Sequence, residues 1–424
     1  MKKLLKSWRS TRWAKTILIF LAIFGPATIT AMADNDASGV ATYSIAGAQL
    51  GYPILFLLVI ITFLLGITQE MGMRLTLITR RGLADLIREQ YGVKTAVLIF
   101  ASLVIANMGT IIVDMAAVKT TTGMLNIPAW PAILVMVVVT FVVVTKGNYR
   151  LTQGIMLVSS LFYLAYIISA VQSKPDWGLA IGNLFYPHGV QFSPAYWKTY
   201  LIVGMGVLGT TITPWGQFFI SSFAFDKNIE ARNIRYSQAE TYGGAFLTDF
   251  FSFFMIVATA ATLFVHHITL VSGEQAALAI EPFAGKLAGT LFAFGILNAG
   301  FMGIVTVSLS TAYAYVEFFG LNGSLNASYS QSKAFYILFL GQLLIAAVVA
   351  LIPGVALFQL VVATQALNAM TLPLVFNYLI RLTSSKELMK EYVNSLFQRN
   401  VTIVATVVIF VASILTLAAA IFNL

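Results

Sequence analysis

Met32-Ala33-Asp34-Asn35-Asp36-Ala37-Ser38-Gly39 interrupts an otherwise apolar segment that is long enough to cross a membrane. Each charge at the centre of a membrane helix costs roughly 2.5–3.5 kcal/mol on insertion scales. Carboxylates persist at that depth where they face a cavity or a partner and perform a task. Ala37-Ser38-Gly39 continues a helix poorly, so the backbone is expected to open there. An opened helix with an acid at membrane depth reads as a cation site.

The whole chain of 424 residues is built for hydrocarbon. It is 59% hydrophobic and only 10% charged, and its mean hydropathy is +0.87, outside the range of soluble domains. The apolar stretches are too many and too long for buried core helices, and eleven spans are expected at about 16–44, 53–77, 95–117, 129–146, 152–172, 199–223, 241–266, 287–318, 334–352, 356–382 and 401–422, each near the ~20 residues that crossing needs. The basic start, Met1-Lys2-Lys3-Leu4-Leu5-Lys6, lacks a small-residue cleavage site and reads as a retained cytoplasmic tail.

Charge sorts by side. With the N-terminus in the cytoplasm, 21 of the 25 Lys and Arg fall on cytoplasmic segments, and only Lys119, Lys174, Lys198 and Lys286 fall outside. That asymmetry obeys the positive-inside rule and places the C-terminus outside. The net charge of +9 therefore records topology in a plasma membrane and attraction to lipid, not nucleic acid. There is no cysteine, which removes disulfides, thiolate metal sites and cysteine nucleophiles.

Span 6 carries a second break. Gly204, Gly206 and Gly209 loosen it, and Pro214 removes a backbone donor, so free carbonyls are expected from Thr210 to Thr213. Gly25-Pro26-Ala27-Thr28-Ile29-Thr30 in span 1 is weakly echoed by Gly209-Thr210-Thr211-Ile212-Thr213-Pro214 in span 6. Five spans separate them, so two such units would lie in opposite orientation, as in inverted-repeat transporters whose discontinuous helices meet at the midplane. The expected organisation is one transporter domain over 1–424, with repeats at 1–172 and 199–382 and an extra helix at 401–422.

Span 10 supplies Gln365 and Asn368, one turn apart on one helical face, as ligands or as interhelical hydrogen-bond glue. Glu70 and Asp249 are further acids at membrane depth. Asp114 and Glu317 lie near expected span ends, where capping or solvation is the ordinary role. His188, His266 and His267 all fall at or beyond outer ends, so none serves the midplane.

These residues resemble a family. Asp36-Ala37-Ser38-Gly39-Val40-Ala41-Thr42, continuing to Ala46-Gly47-Ala48-Gln49-Leu50-Gly51-Tyr52, looks like the first span of Nramp divalent-metal transporters, whose hallmark there is Asp-Pro-Gly-Asn. The likeness continues through Gln69-Glu70-Met71, Gly82 to Leu86, Asp114-Met115-Ala116, Gln365 to Pro373 and Leu382-Thr383-Ser384. It implies an all-α polytopic membrane protein of eleven helices, an inverted 5+5 repeat of the LeuT-like kind with helices 1 and 6 discontinuous.

The departures bear on selectivity. Asp36 matches the family's metal-binding Asp, but Gly39 stands where its Asn should be. Thr213-Pro214-Trp215 replaces Met-Pro-His, Ile220 matches a second histidine, and Ala117 matches the glutamate of the proton route. Gln365 is retained. Thioether sulfur favours transition metals, whereas carboxylate, hydroxyl and carbonyl oxygens suit magnesium or manganese. Gly39 and Thr213 are expected to harden the site and to enlarge it for a partly hydrated ion. This resembles the Nramp-related magnesium transporters.

The expected site is Asp36, Thr210, Thr213, Gln365, Gly39 and Asn368. Asn35 adds a weaker contact, and Asp34 either attracts ions or caps the second half-helix. The metal (Mg2+ or Mn2+) is a transported substrate and not a cofactor, and a functional monomer is expected. A proton-coupled Mn2+ or Fe2+ importer is the nearest alternative. Sodium-coupled solute carriers share the fold, but Asp36 would repel a substrate carboxylate. An intramembrane enzyme lacks a second acidic cluster and a serine–histidine pair at depth.

Overall fold

The computed structural model describes residues 20, 24–124, 127–268, 270, 276–352 and 357–422. The expected start of span 1 at residue 16 and the basic tail before it lie outside the described residues. Every regular element among the described residues is helical.

The first span is two half-helices, α1 (Pro26–Ala33) and α2 (Ala37–Leu50). Pro26 opens α1 at a position where its missing N–H is no loss. Gly25, at φ 145, accepts a turn there that a side chain would strain. The Gly25 and Thr28 amides donate to Glu240 Oε1 at 2.7 and 3.1 Å, so a distant carboxylate caps the helix. Asp36 is the N-cap of α2, its Oδ1 accepting from Gly39 N at 2.7 Å.

Next come α3 (Ile54–Thr79) and α4 (Leu83–Met124). The latter is kinked at Gly92, φ 84, close to where the sequence places the start of span 3. Then follow α5 (Ala129–Lys146), α6 (Tyr149–Ser160), α7 (Leu164–Gln172) and the short α8 (Trp177–Gly182).

The sixth span is again divided, into α9 (Pro194–Thr211) and α10 (Pro214–Asp226). Pro214 sits at the first turn of α10, and Thr213 caps it by accepting from Gly216 N at 3.1 Å. Gly204, Gly206 and Gly209 do not unwind α9, which stays helical to Thr211. Gly209 instead admits a neighbour: a Cβ there would lie 2.3 Å from the Gln365 carbonyl. The remaining helices are α11 (Ile234–Thr259), α12 (Ala276–Ala284), α13 (Lys286–Phe319), α14 (Lys333–Leu351), α15 (Leu357–Ser384), α16 (Lys386–Met389) and α17 (Leu396–Phe422).

Eight described helices are long and apolar enough to cross a membrane. Three halves of the two divided spans fall outside that set because they are short, at 8, 14 and 13 residues, and α9, at 18 residues, because it is not apolar enough. Around them pack α3, α4, α11, α13 and α15. The apolar windows of α3 and α11 are 67% buried, against 22% in α5 and 17% in α17. The outer helices therefore present Trp130, Val138 and Phe410 outward, as hydrocarbon contact requires and water does not favour.

Candidate metal centre

Three consecutive residues of the first break turn to three different neighbours. Asp34 Oδ1 accepts from Thr213 Oγ1 at 2.9 Å, and its Oδ2 accepts from Gln69 Nε2 at 3.3 Å. Asn35 donates through Nδ2 to Thr248 O and Oγ1, both at 2.9 Å, and accepts from Ser252 Oγ at 2.8 Å. Asp36 Oδ1 accepts from Ser38 Oγ at 2.6 Å and from Gly39 N. All three are at most 2% exposed.

The structure groups the expected residues into two clusters. Around Asp36, Gln365 Nε2 donates to Ser38 Oγ at 2.7 Å, and Asn368 Nδ2 donates to Gln365 Oε1 at 3.2 Å. Asn368 Oδ1 has no hydrogen-bond partner. Thr213 belongs with Asp34 rather than with Asp36. Thr210, 1% exposed, stands at the end of α9, among the residues whose carbonyls a helix terminus leaves without an intrahelical donor.

Four expectations change. The acid that caps α2 is Asp36, because it is the residue in extended conformation, φ −61 and ψ 178, just before the helix. Asn35 is held by α11 on every side-chain polar atom and is structural. Gly39 does not open space: a Cβ there would sit 2.5 Å from the Asp34 carbonyl and 3.3 Å from Thr210 Oγ1. The broken backbone has moved into the room that a side chain would occupy.

Asp114 is the fourth. It lies inside α4, fully buried, and its Oδ1 accepts from Ser38 N at 3.4 Å. A Cβ on Gly303 of α13 would meet Asp114 Oδ2 at 2.1 Å and Asp36 Cβ at 2.6 Å. The two acids thus adjoin each other over the N-terminus of α2, which favours negative charge, and Asp114 Oδ2 has no partner. Glu317 does cap, accepting from Ala84 N at 3.2 Å at the start of α4. The available signal for Asp114 was a carboxylate deep in an apolar run; for Ser38, a hydroxyl two residues from Asp36. Ala37-Ser38-Gly39 is not open as expected but forms the first turn of α2, the break lying at Asp34 to Asp36.

Among the described residues no three His, Cys, Asp or Glu gather as a metal cluster. An ion at the breaks would be held by one or two carboxylates and neutral oxygens. Where the family carries histidines, Trp215 and Ile220 are fully buried, and Ile220 packs with Ala27, Met73 and Leu77.

Two divided helices meeting inside a helical bundle define a membrane transporter. The family model of Natural resistance-associated macrophage protein-like (Nramp) proteins matches residues 27–419. The chain belongs to the Nramp family, whose members are divalent-metal transporters and not enzymes, with metal as substrate rather than cofactor. It is 24% identical over 405 residues to the divalent metal cation transporter MntH of Verminephrobacter eiseniae, covering 92% of this chain and 86% of that protein. It is 27% identical over 404 residues to MntH 1 of Pseudomonas aeruginosa, covering 88% and 86%. The fold resembles that of the Eremococcus coleocola manganese transporter, TM-score 0.80 at 18% identity, covering 97% of this chain and 88% of that one.

Proposed function

We propose that this chain carries magnesium, and also manganese, by alternating access, as a member of the magnesium-transporting branch of its family. The observation that carries the reading is the donor set. The polar side chains gathered at the breaks are Asp34, Asp36, Ser38, Gln69, Asp114, Thr213, Gln365 and Asn368. They offer hard oxygen and neither thioether nor imidazole. Hard oxygen suits magnesium and manganese, and magnesium commonly keeps waters while held by one or two carboxylates. Relatives named as divalent metal cation transporters and a neighbour named as a manganese transporter fit this class.

Asp36 is the principal ligand in this reading, with Thr213, the Thr210 carbonyl, Gln365 and Asn368 in direct or water-mediated contact and Gly39 shaping the approach. The proposed topology has eleven spans, five related to the next five by inversion and α17 as the extra helix, with the N-terminus in the cytoplasm of a plasma-membrane monomer. With Ala117 in place of a carboxylate, transport is uncoupled from protons. The membrane potential then drives entry, about 4.6 kcal/mol for two charges across 100 mV at roughly 2.3 per charge.

Uptake into proteoliposomes with a lumenal pH dye tests this. Potential-driven magnesium entry without acidification supports it. Entry of manganese alone with acidification favours instead a proton-coupled manganese or iron importer, for which the Asp114 carboxylate beside Asp36 is the motivating observation. Thr213→Met places a soft sulfur at the break and should shift preference toward softer ions; unchanged selectivity would contradict the hardness argument.

A further inference from the structure

Buried acids are not confined to the break, for α11 carries Asp249. Asp249 is 4% exposed. Its Oδ2 accepts from Thr62 Oγ1 at 2.7 Å, while Oδ1 is buried without a partner. Ser252, one turn away, has its single proton engaged with Asn35 Oδ1 and Thr248 O. Among the described residues the ion pairs join Arg74–Glu70, Arg81–Glu89, Arg88–Asp85 and Arg232–Glu230, so no pair neutralises Asp249 or Asp34.

The two acids are linked along one face of α3. Thr62 holds Asp249 and Gln69 holds Asp34; seven residues apart, they are two turns or about 10 Å from one another on the same side. Gln69 is fully buried and its Oε1 also lacks a partner. Tyr43 of α2 lies within electrostatic range of both carboxylates, and its hydroxyl bonds Thr211 Oγ1 at 2.7 Å. A buried charge without an ion-pair partner is disfavoured; Asp34 is offset by two hydrogen bonds, whereas Asp249 Oδ1 and Gln69 Oε1 are left unsatisfied. Thr62 Oγ1 also donates to the Leu58 carbonyl at 2.8 Å, so a proton on Asp249 would sit on Oδ2 facing that hydroxyl and would still leave Oδ1 without a partner. A cation would give the unpartnered oxygens the partner they lack.

We propose that Asp249 and Asp34, with Thr62, Gln69 and Tyr43, form a second binding position for a divalent cation, a station beside the Asp36 cluster on the translocation route. In this proposal the ion keeps part of its water shell and touches the acids through those waters, as magnesium does. Asn35, clamped to Thr248 and Ser252, ties the stretch of α11 that carries Asp249 to the break. The inference rests on the reading of the chain as a divalent-cation carrier.

Manganese binding to the full-length protein in lipid nanodiscs, counted by electron paramagnetic resonance, tests it alongside magnesium uptake. The wild type is expected to bind two ions and Asp249→Asn one, with uptake retained and its KM for magnesium raised several-fold. Asp36→Asn should also bind one ion but lose uptake. Equal stoichiometry and unchanged KM in wild type and Asp249→Asn overturn the station. If Asp249→Asn fails to fold, Thr62→Val, which keeps the carboxylate but frees it from its anchor, carries the test: a raised KM supports the station and an unchanged one overturns it. A wild type that binds no manganese overturns the carrier reading itself.

Discussion

The two helix breaks are joined by a hydrogen bond from Thr213 Oγ1 to Asp34 Oδ1 at 2.9 Å. The same hydroxyl accepts from Gly216 N, so one side chain caps α10 and ties it to the end of α1. Any motion that separates the breaks must break or carry this contact. Asp36 is free of it and answers instead to α2, α4 and α15. The structure thus divides labour between two acids that stand two residues apart.

Thr213→Val removes both functions of the hydroxyl. Loss of an N-cap costs about 1 kcal/mol, and Asp34 is left with Gln69 alone. The variant should unfold at lower temperature in detergent and transport more slowly, while Thr213→Ser restores most of both. Wild-type uptake by the valine variant would show that the contact between the breaks is dispensable.

Gly39→Asn reinstates the family's residue and should fail here. Its Cβ would meet the Asp34 carbonyl at 2.5 Å, and backbone cannot yield as a flexible side-chain tip does. Reduced thermal stability and loss of magnesium uptake are expected. An asparagine variant that transports normally would mean that the break adopts another path than the one described.

The breaks were legible because their causes are local. Pro214 ends one helix and starts another, and Asp34-Asn35-Asp36 can satisfy neither hydrocarbon nor an uninterrupted helix. Which acid caps α2 was not legible, since either carboxylate has suitable chemistry and the choice depends on which residue takes the extended conformation. Asp114 was misjudged from its expected position near a span end, because α4 runs on to Met124 and buries it. Glu70 and Arg74 stood four apart in the sequence, a helical pairing distance; the partners that enclose them come from distant segments that no local pattern exposes.

That pair yields a stability prediction. Arg74 Nε donates to Glu70 Oε1 at 2.8 Å with both side chains almost fully buried, 4% and 1% exposed. Gln238 and Gln398 donate to Glu70 at 2.9 and 2.8 Å, and Arg74 reaches Asn394 Oδ1 at 2.8 Å and the Tyr392 carbonyl. Removing one member of a buried pair costs about 3–5 kcal/mol because it strands the other charge, whereas replacing both is far milder. Arg74→Met should lower the unfolding temperature sharply, and Arg74→Met with Glu70→Met should recover much of the loss. Equal destabilisation by both variants would place the energy in the surrounding amides.

Asp36 combines two roles that one substitution cannot separate but two can. Its Oδ1 caps α2 through Gly39 N, and its charge stands beside Asp114 over the same helix terminus. Asp36→Ala removes cap and charge together. Asp36→Asn keeps an oxygen that accepts from the Gly39 amide, since asparagine caps about as well as aspartate, while the charge disappears. If Asp36 is the principal ligand, both variants lose magnesium uptake, but only the alanine variant also loses roughly 1 kcal/mol of the cap. Uptake by Asp36→Asn at a substantial fraction of wild type would shift the ligand role to Asp34 or Asp114. Thermal unfolding run in parallel with the uptake assay distinguishes a site that has lost its charge from a helix that has lost its start.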